Sequence, residues 1–196
     1  YAYDVNKQLS KVKKADGKTI TYDYNKLDQL LTTKYSQESE GQVLYTYDAD
    51  GRRVSMSDLT GVTNYVYNEE GEITGVRQGD GSLIQYDYDD YGNIQKLTYP
   101  DGSEVTYSYD ALDRLTKVVD KDGQVTTYDY NEAGDMTTIK RADGSRSELT
   151  YDAGHRVTSI SHLDKKKKLI SSYAYEYDDG DFITKETISQ DGETLV

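Results

Sequence analysis

Nine near-copies of one short element, Tyr-x-Tyr followed by Asp or Asn, run through the 196 residues of this chain. Aligned on the second tyrosine they fall at Tyr3, Tyr24, Tyr47, Tyr67, Tyr88, Tyr109, Tyr130, Tyr151 and Tyr177, with spacings of 21, 23, 20, 21, 21, 21, 21 and 26. A unit that short cannot bury an apolar face alone, so neighbouring units must supply each other's contacts. Residues 1–196 are therefore expected to form a single continuous array of about nine repeats.

Each unit has a fixed internal order. Asp or Asn follows the tyrosine throughout (Asp4, Asn25, Asp48, Asn68, Asp89, Asp110, Asn131, Asp152, Asp178), and a glycine comes four positions after it at Gly51, Gly71, Gly92 and Gly134 or three after it at Gly154 and Gly180. Six positions after the tyrosine stands an apolar residue: Leu9, Leu30, Ile73, Ile94, Leu115, Met136, Val157 and Ile183. Arg53 occupies that slot in the third unit and Val54 follows it, which predicts a bulge or register shift there. Asp-Gly then recurs at Asp16-Gly17, Asp80-Gly81, Asp101-Gly102, Asp122-Gly123 and Asp143-Gly144, with Thr60-Gly61 and Asp191-Gly192 as weaker copies and Glu40-Gly41 beyond an insertion around Tyr35 to Glu38. Asp-Gly between alternating segments predicts a two-residue type I′ hairpin turn. Pro100 precedes one such pair, where its fixed φ suits a turn. The unit reads as two antiparallel strands and two turns, and the fold as all-β, with tandem hairpins forming a curved, solenoid-like β-spiral. The stretch near 164–172, with Lys165 to Lys168 in place of Asp-Gly, predicts a protruding basic hairpin loop.

Alternation puts both tyrosines of each element on one face. The expected repeat core is Tyr3, Tyr22, Tyr24, Tyr45, Tyr47, Tyr65, Tyr67, Tyr86, Tyr88, Tyr107, Tyr109, Tyr128, Tyr130, Tyr151, Tyr175 and Tyr177, stacked in ladders across strands. The chain has 21 Tyr but no Trp and one Phe, so aromatic burial must come almost entirely from tyrosine. That same richness, at regular spacing, argues for order despite a net charge of −13.

The acidic balance argues against nucleic-acid binding, which needs clustered Lys and Arg to release counterions. Without cysteine there are no disulfides or thiolate metal sites. No apolar run approaches the length of a membrane span, and no leader opens the chain, so an export signal would lie outside it.

No residue set stands out for catalysis. Asp87, Asp89 and Asp90 could be imagined as an acid and base pair, but equivalent acids recur in every unit, whereas catalysis needs one distinctive environment. Asp48 to Gly51 and Asp178 to Asp181 resemble the start of calcium loops without the frame that ends in a bidentate Glu. His155 and His162 are the only histidines and lack ligand spacing. No serine has a Gly-x-Ser-x-Gly context. No cofactor or metal is expected. Four adjacent lysines at Lys165 to Lys168 read as a solvated loop.

The segment YDYDDYGNIQKLTYPDGSEVTYSYDALDRL, from Tyr86 to Leu115, resembles the Rhs or YD-repeat family, which includes bacterial wall-associated proteins, polymorphic toxins, toxin-complex components and teneurins. The match runs over essentially the whole chain. The resemblance implies a β-spiral that forms a hollow shell, which in toxin members encloses a C-terminal toxic domain. The Asp-Pro-x-Gly-Leu motif associated with autoproteolysis in that family is absent, as Pro100 is the only proline.

The expected role is a non-enzymatic scaffold, extracellular or wall-associated, whose main partner is the rest of its own polypeptide. Edge-to-edge self-association of exposed terminal strands is a further expectation. The alternative is a carbohydrate-binding module directed at cell-wall glycan, using the tyrosines outside the repeated pairs: Tyr35, Tyr91, Tyr99 and Tyr173.

Overall fold

A computed structural model of the chain describes residues 1–190 and 193–196; the Asp191-Gly192 pair lies outside them. The described residues are all-β, in two compact units. Unit 1 (Tyr1–Gly92 and Leu97–Ser103) holds β1 (Ala2–Tyr3), β2 (Leu9–Lys13), β3 (Thr19–Tyr24), β4 (Leu30–Tyr35), β5 (Gln42–Tyr47), β6 (Arg53–Asp58), β7 (Gly61–Tyr67), β8 (Ile73–Arg77) and β9 (Leu83–Tyr88), with one 3-10 turn at Glu38–Glu40. β10 (Ile94–Thr98) divides between the two. Unit 2 (Asn93–Lys96 and Glu104–Val196) holds β11 (Glu104–Tyr109), β12 (Leu115–Val119), β13 (Val125–Tyr130), β14 (Met136–Lys140), β15 (Arg146–Tyr151), β16 (Val157–Leu163), β17 (Leu169–Tyr177), β18 (Ile183–Gln190) and β19 (Glu193–Leu195). In each unit every strand pairs antiparallel with the next in sequence.

The turn after each second tyrosine has one geometry. In the first copy Asp4 N–H donates to the Gln8 carbonyl at 2.8 Å and Lys7 N–H donates back to the Asp4 carbonyl at 3.1 Å. The residue four after the tyrosine is left-handed in all nine copies: Lys7, Asp28, Gly51, Gly71, Gly92, Asp113, Gly134, His155 and Asp181. Gly154 and Gly180 therefore miss the position where glycine's freedom would be used, and His155 (φ 63°) and Asp181 (φ 64°) take the strained backbone instead.

The Asp-Gly turns correct the type I′ expectation. Gly17 has φ 83°, but Asp16 has no positive φ, and the same holds for Asp80, Asp101, Asp122 and Asp143. Lys14 N–H donates to the Lys18 carbonyl at 2.8 Å and Gly17 N–H to the Lys14 carbonyl at 3.0 Å, which repeats the first turn. Both are type I turns closed by one left-handed residue, the three-residue hairpin loop. Pro100 stands second in such a turn, a position its ring prefers. Aspartate stabilises both turns by accepting backbone N–H groups, as Asp110 does from Leu112 and Arg114, and Asp16 from Lys18.

The irregular units have separate causes. The bulge expected beside Arg53 exists, since the register slips between Thr46 and Tyr47, but the same slip occurs at Tyr3, Tyr24, Tyr67, Tyr109, Tyr130, Tyr151 and Tyr177. It belongs to the repeat, not to that unit. The 20-residue spacing arises because β6 and β7 join through Leu59 and Thr60 alone, with Asp58 facing Gly61. There Gly79 meets the neighbouring tip so closely that a Cβ would lie 2.6 Å from the Thr60 carbonyl oxygen. The 23-residue spacing arises from the loop of the 3-10 turn, tied back to β3 by Ser36 N–H donating to the Thr19 carbonyl at 2.9 Å.

The lysine-rich segment is not an enlarged loop. Asp164 N–H donates to the Lys168 carbonyl and Lys167 N–H to the Asp164 carbonyl, both at 2.9 Å, so this is the ordinary turn with Lys167 left-handed (φ 66°). The added length lies in the strands, with 7 residues in β16 and 9 in β17.

Among the described residues no hydrophobic side chain is fully buried. The repeated tyrosines are half-buried and the residue between them is exposed, except that Tyr3, on β1, is 63% exposed. Pairing interleaves tyrosines with other side chains, rather than placing ring beside ring on adjacent strands. Tyr45 faces Met56, Tyr65 faces Val76, Tyr107 faces Val118 and Tyr128 faces Ile139. Each aliphatic strand thus separates two tyrosine strands on that face.

Candidate functional site

The tyrosine face derives its geometry from where the ladders stop. The β12–β13 ladder ends at Lys117 and Thr127, so Leu115, two residues earlier, has no ladder partner for its carbonyl on that side. The Tyr130 hydroxyl donates to that carbonyl at 2.8 Å. The same bond joins Tyr24 to Leu9, Tyr47 to Leu30, Tyr67 to Arg53, Tyr88 to Ile73, Tyr109 to Ile94, Tyr151 to Met136 and Tyr177 to Val157, at 2.8–3.0 Å. The acceptor is always the residue of the apolar slot in the preceding repeat. Phenylalanine could fill the space but not satisfy that carbonyl. Burial raises the pKa of the Tyr24, Tyr88, Tyr130 and Tyr151 phenols.

A second repeat-to-repeat link comes from the residue five after the tyrosine. Arg52, Arg114 and Arg156 each pair with the aspartate four before them (Asp48, Asp110, Asp152) at 2.7 Å. Each guanidinium also lies over the next repeat's tyrosine: Arg52 over Tyr67 at 5.0 Å, Arg114 over Tyr130 at 4.6 Å and Arg156 over Tyr177 at 4.8 Å. Hydrogen bonds from these arginines hold the three aspartate carboxyls below the usual range. This position also reaches the next turn: Gln29 Nε2 donates to the Gly51 carbonyl at 3.2 Å, and Arg156 Nη1 to the Asp178 carbonyl at 3.1 Å. Arg53, in the apolar slot, lies over both Tyr45 (5.8 Å) and Tyr65 (4.8 Å). Sequence reasoning missed these arginines, although their signal was present in the spelling Asp-Ala-x-x-Arg at Asp48, Asp110 and Asp152.

The four tyrosines outside the repeated pairs do not share one place in the fold. Tyr91 is 83% exposed in a first turn, and Tyr99 opens a second turn at the other end of the strands. Tyr35 lines a cleft beside the 3-10 turn. Tyr173 is half-buried in β17, between Ile160 and Ile188, with His162 edge-on at 6.0 Å.

The histidines play local roles. His155 Nδ1 contacts the Asp135 carboxylate at 2.9 Å; the hydrogen bond from the Asn131 side chain, and after it this contact, lowers the Asp135 pKa. His162 Nδ1 lies 2.8 Å from Ser147 Oγ, a nucleophile-and-base distance that sequence reasoning missed. Yet Ser147 is 2% exposed and its Oγ also accepts from Arg141 Nη2 at 2.9 Å. A hydroxyl so enclosed has no room for a reacting carbonyl, so the pair satisfies polar groups inside the sheet face. Asp89 caps its turn at the Tyr91 N–H, and Asp48 and Asp178 cap theirs. Among the described residues no three His, Asp or Glu side chains are grouped so as to hold a metal ion, and no helix is long and apolar enough to cross a membrane.

Fold and site together define a repeat-built β wall, in which hairpins are joined by tyrosine hydroxyl bonds. The RHS Repeat family model matches residues 3–40, 67–104, 88–125, 109–146 and 130–165, and the chain belongs to that family. Among solved structures it is similar to one described as TcdB2-TccC3-TEV, with a TM-score of 0.73 and 15% identity over 98% of this chain and 11% of that one. Two more are TcdB2-TccC3-Cdc42 (TM-score 0.62, 13% identity, 98% and 15% covered) and TcdB2-TccC3 without its hypervariable C-terminal region (TM-score 0.62, 14% identity, 98% and 14% covered). These likenesses establish the shared fold, and the chain spans only 11% to 15% of the length of those chains. A search of curated protein sequences returns no match.

Proposed function

We propose that residues 1–196 are one continuous, non-catalytic stretch of shell wall, and that in the parent polypeptide this wall encloses or displays an effector domain outside the cell. The observation that carries this reading is the hydroxyl-to-carbonyl bond repeated from Tyr24 to Tyr177. It devotes the most regular side chains to joining hairpins, so the wall grows by adding units. The repeated tyrosines are the adhesive of that wall. The similar TcdB2-TccC3 chains are far longer than this one, and one is described by its lack of a hypervariable C-terminal region, which suits a wall combined with exchangeable cargo. A glycan-binding role draws less support, because its four tyrosines are scattered over both turn edges and mid-strand.

Limited proteolysis of the parent polypeptide tests the enclosure. A domain downstream of the repeats should resist protease within the whole protein and be cut readily when expressed alone; equal cutting in both would refute it. For the adhesive role, Tyr107→Ala with Tyr109→Ala should lower stability by about 3 kcal/mol or more, whereas Asp87→Ala should cost little.

A further inference from the structure

One place interrupts the regular wall and opens a cavity. The 3-10 turn at Glu38–Glu40 lengthens one hairpin tip, while the next tip is cut to Leu59 and Thr60. Between the long and the short tip lies a cleft of about 520 Å³, within the range of small-ligand sites. Its apolar lining is Tyr35, Leu44 and Leu59. Leu59 is 69% exposed and rests on Gly41, where a Cβ would come within 2.8 Å of it. Leu44 is 40% exposed and stands among polar partners, facing Thr32 on one side and Ser57 on the other. A second hollow of about 420 Å³ also borders Tyr35 and Leu59.

The cleft wall carries one charge of each sign, Lys34 and Asp58. Neither forms an ion pair among the described side chains; Asp58 accepts from Thr60 N–H at 2.8 Å and Thr60 Oγ1 at 2.6 Å, and those bonds hold its carboxyl below the usual range. Gln42, Ser36 and Ser57 add neutral hydrogen-bonding groups. A neutral sugar offers neither group an opposite charge. A peptide can bring an acid, a base and an apolar side chain together over about 10 Å, three extended residues.

We propose that this cleft binds an extended peptide segment, whose large apolar side chain enters between Tyr35, Leu44 and Leu59 while flanking acidic and basic residues meet Lys34 and Asp58. This rests on the cleft alone and is independent of the enclosure reading. Titration calorimetry of the 196-residue chain against Ac-Glu-Phe-Lys-NH2, Ac-Lys-Phe-Glu-NH2 and Ac-Gln-Phe-Gln-NH2 tests it, with amide shifts at Gly41 and Leu59 locating the site. Saturable binding of one charged order is expected, at least fivefold tighter than the neutral peptide and weakened by 0.5 M salt on the order of several-fold. Leu59→Ala and Lys34→Gln, shown folded by circular dichroism, should each lose at least about fivefold. No saturation at millimolar peptide, equal binding of the neutral peptide, or displacement by N-acetylglucosamine would overturn it.

Discussion

The hydroxyl of Tyr130 donates to the carbonyl of Leu115, 15 residues earlier, at 2.8 Å, and the Arg114 guanidinium covers the same ring at 4.6 Å. One repeat therefore grips the next tyrosine through its backbone and through its side chain. The half-buried phenol has a raised pKa because burial outweighs the nearby positive charge of Arg114.

Tyr130→Phe keeps the ring and removes the donor, leaving the Leu115 carbonyl without it. A loss of about 1 kcal/mol is expected in urea unfolding. Tyr128→Phe, on the same face but opposite Ile139, should cost less. Equal effects of the two would mean that ring packing, not the hydroxyl bond, joins the repeats.

Acid should loosen the turns before it affects the ladders. Asp48, Asp110 and Asp152 have carboxyl pKa values below their ordinary 3.8, first through the arginine hydrogen bonds. Depressed folded values mean that their contribution is complete above the unfolded pKa and is lost as pH falls through the folded one. Melting temperature should therefore drop below about pH 4, and the Asp→Asn triple variant should start lower and show a shallower acid decline. An unchanged decline would remove these pairs as its cause.

Lys167 holds a left-handed φ of 66° in a turn where most copies of the repeat carry glycine. Lys167→Gly should stabilise the chain by about 1 kcal/mol by relieving that strain. Lys166→Gly, outside the left-handed position, should not. Thermal melts of both variants compare the two directly.

Gly79→Ala should destabilise by about 1–3 kcal/mol, because its Cβ would lie 2.6 Å from the Thr60 carbonyl oxygen and force two hairpin tips apart. Gly81→Ala is the control for backbone strain without a clash, since no atom lies within 4 Å of its Cβ position. Hydrogen exchange at Thr60 and Gly61 should rise only in the first variant.

By itself, the sequence determined the strands, both turns and the face that carries the tyrosines, because period-two alternation and the Asp and Gly positions are local properties. It also placed the bulge beside Arg53, although only comparison with the pairings of seven other repeats showed that they share it. The turn type was misread because Asp-Gly suits two loop geometries, and the backbone hydrogen bonds select between them. Gly154 and Gly180 likewise gave no warning that the strained positions would fall to His155 and Asp181. Tertiary structure alone decided what each tyrosine hydroxyl bonds, why Arg114 lies where it does, and that Tyr35 and Leu59 border one cleft. Those contacts join residues 15 or more apart, and their partners depend on where a ladder ends and how long the neighbouring tip is, which no single repeat encodes.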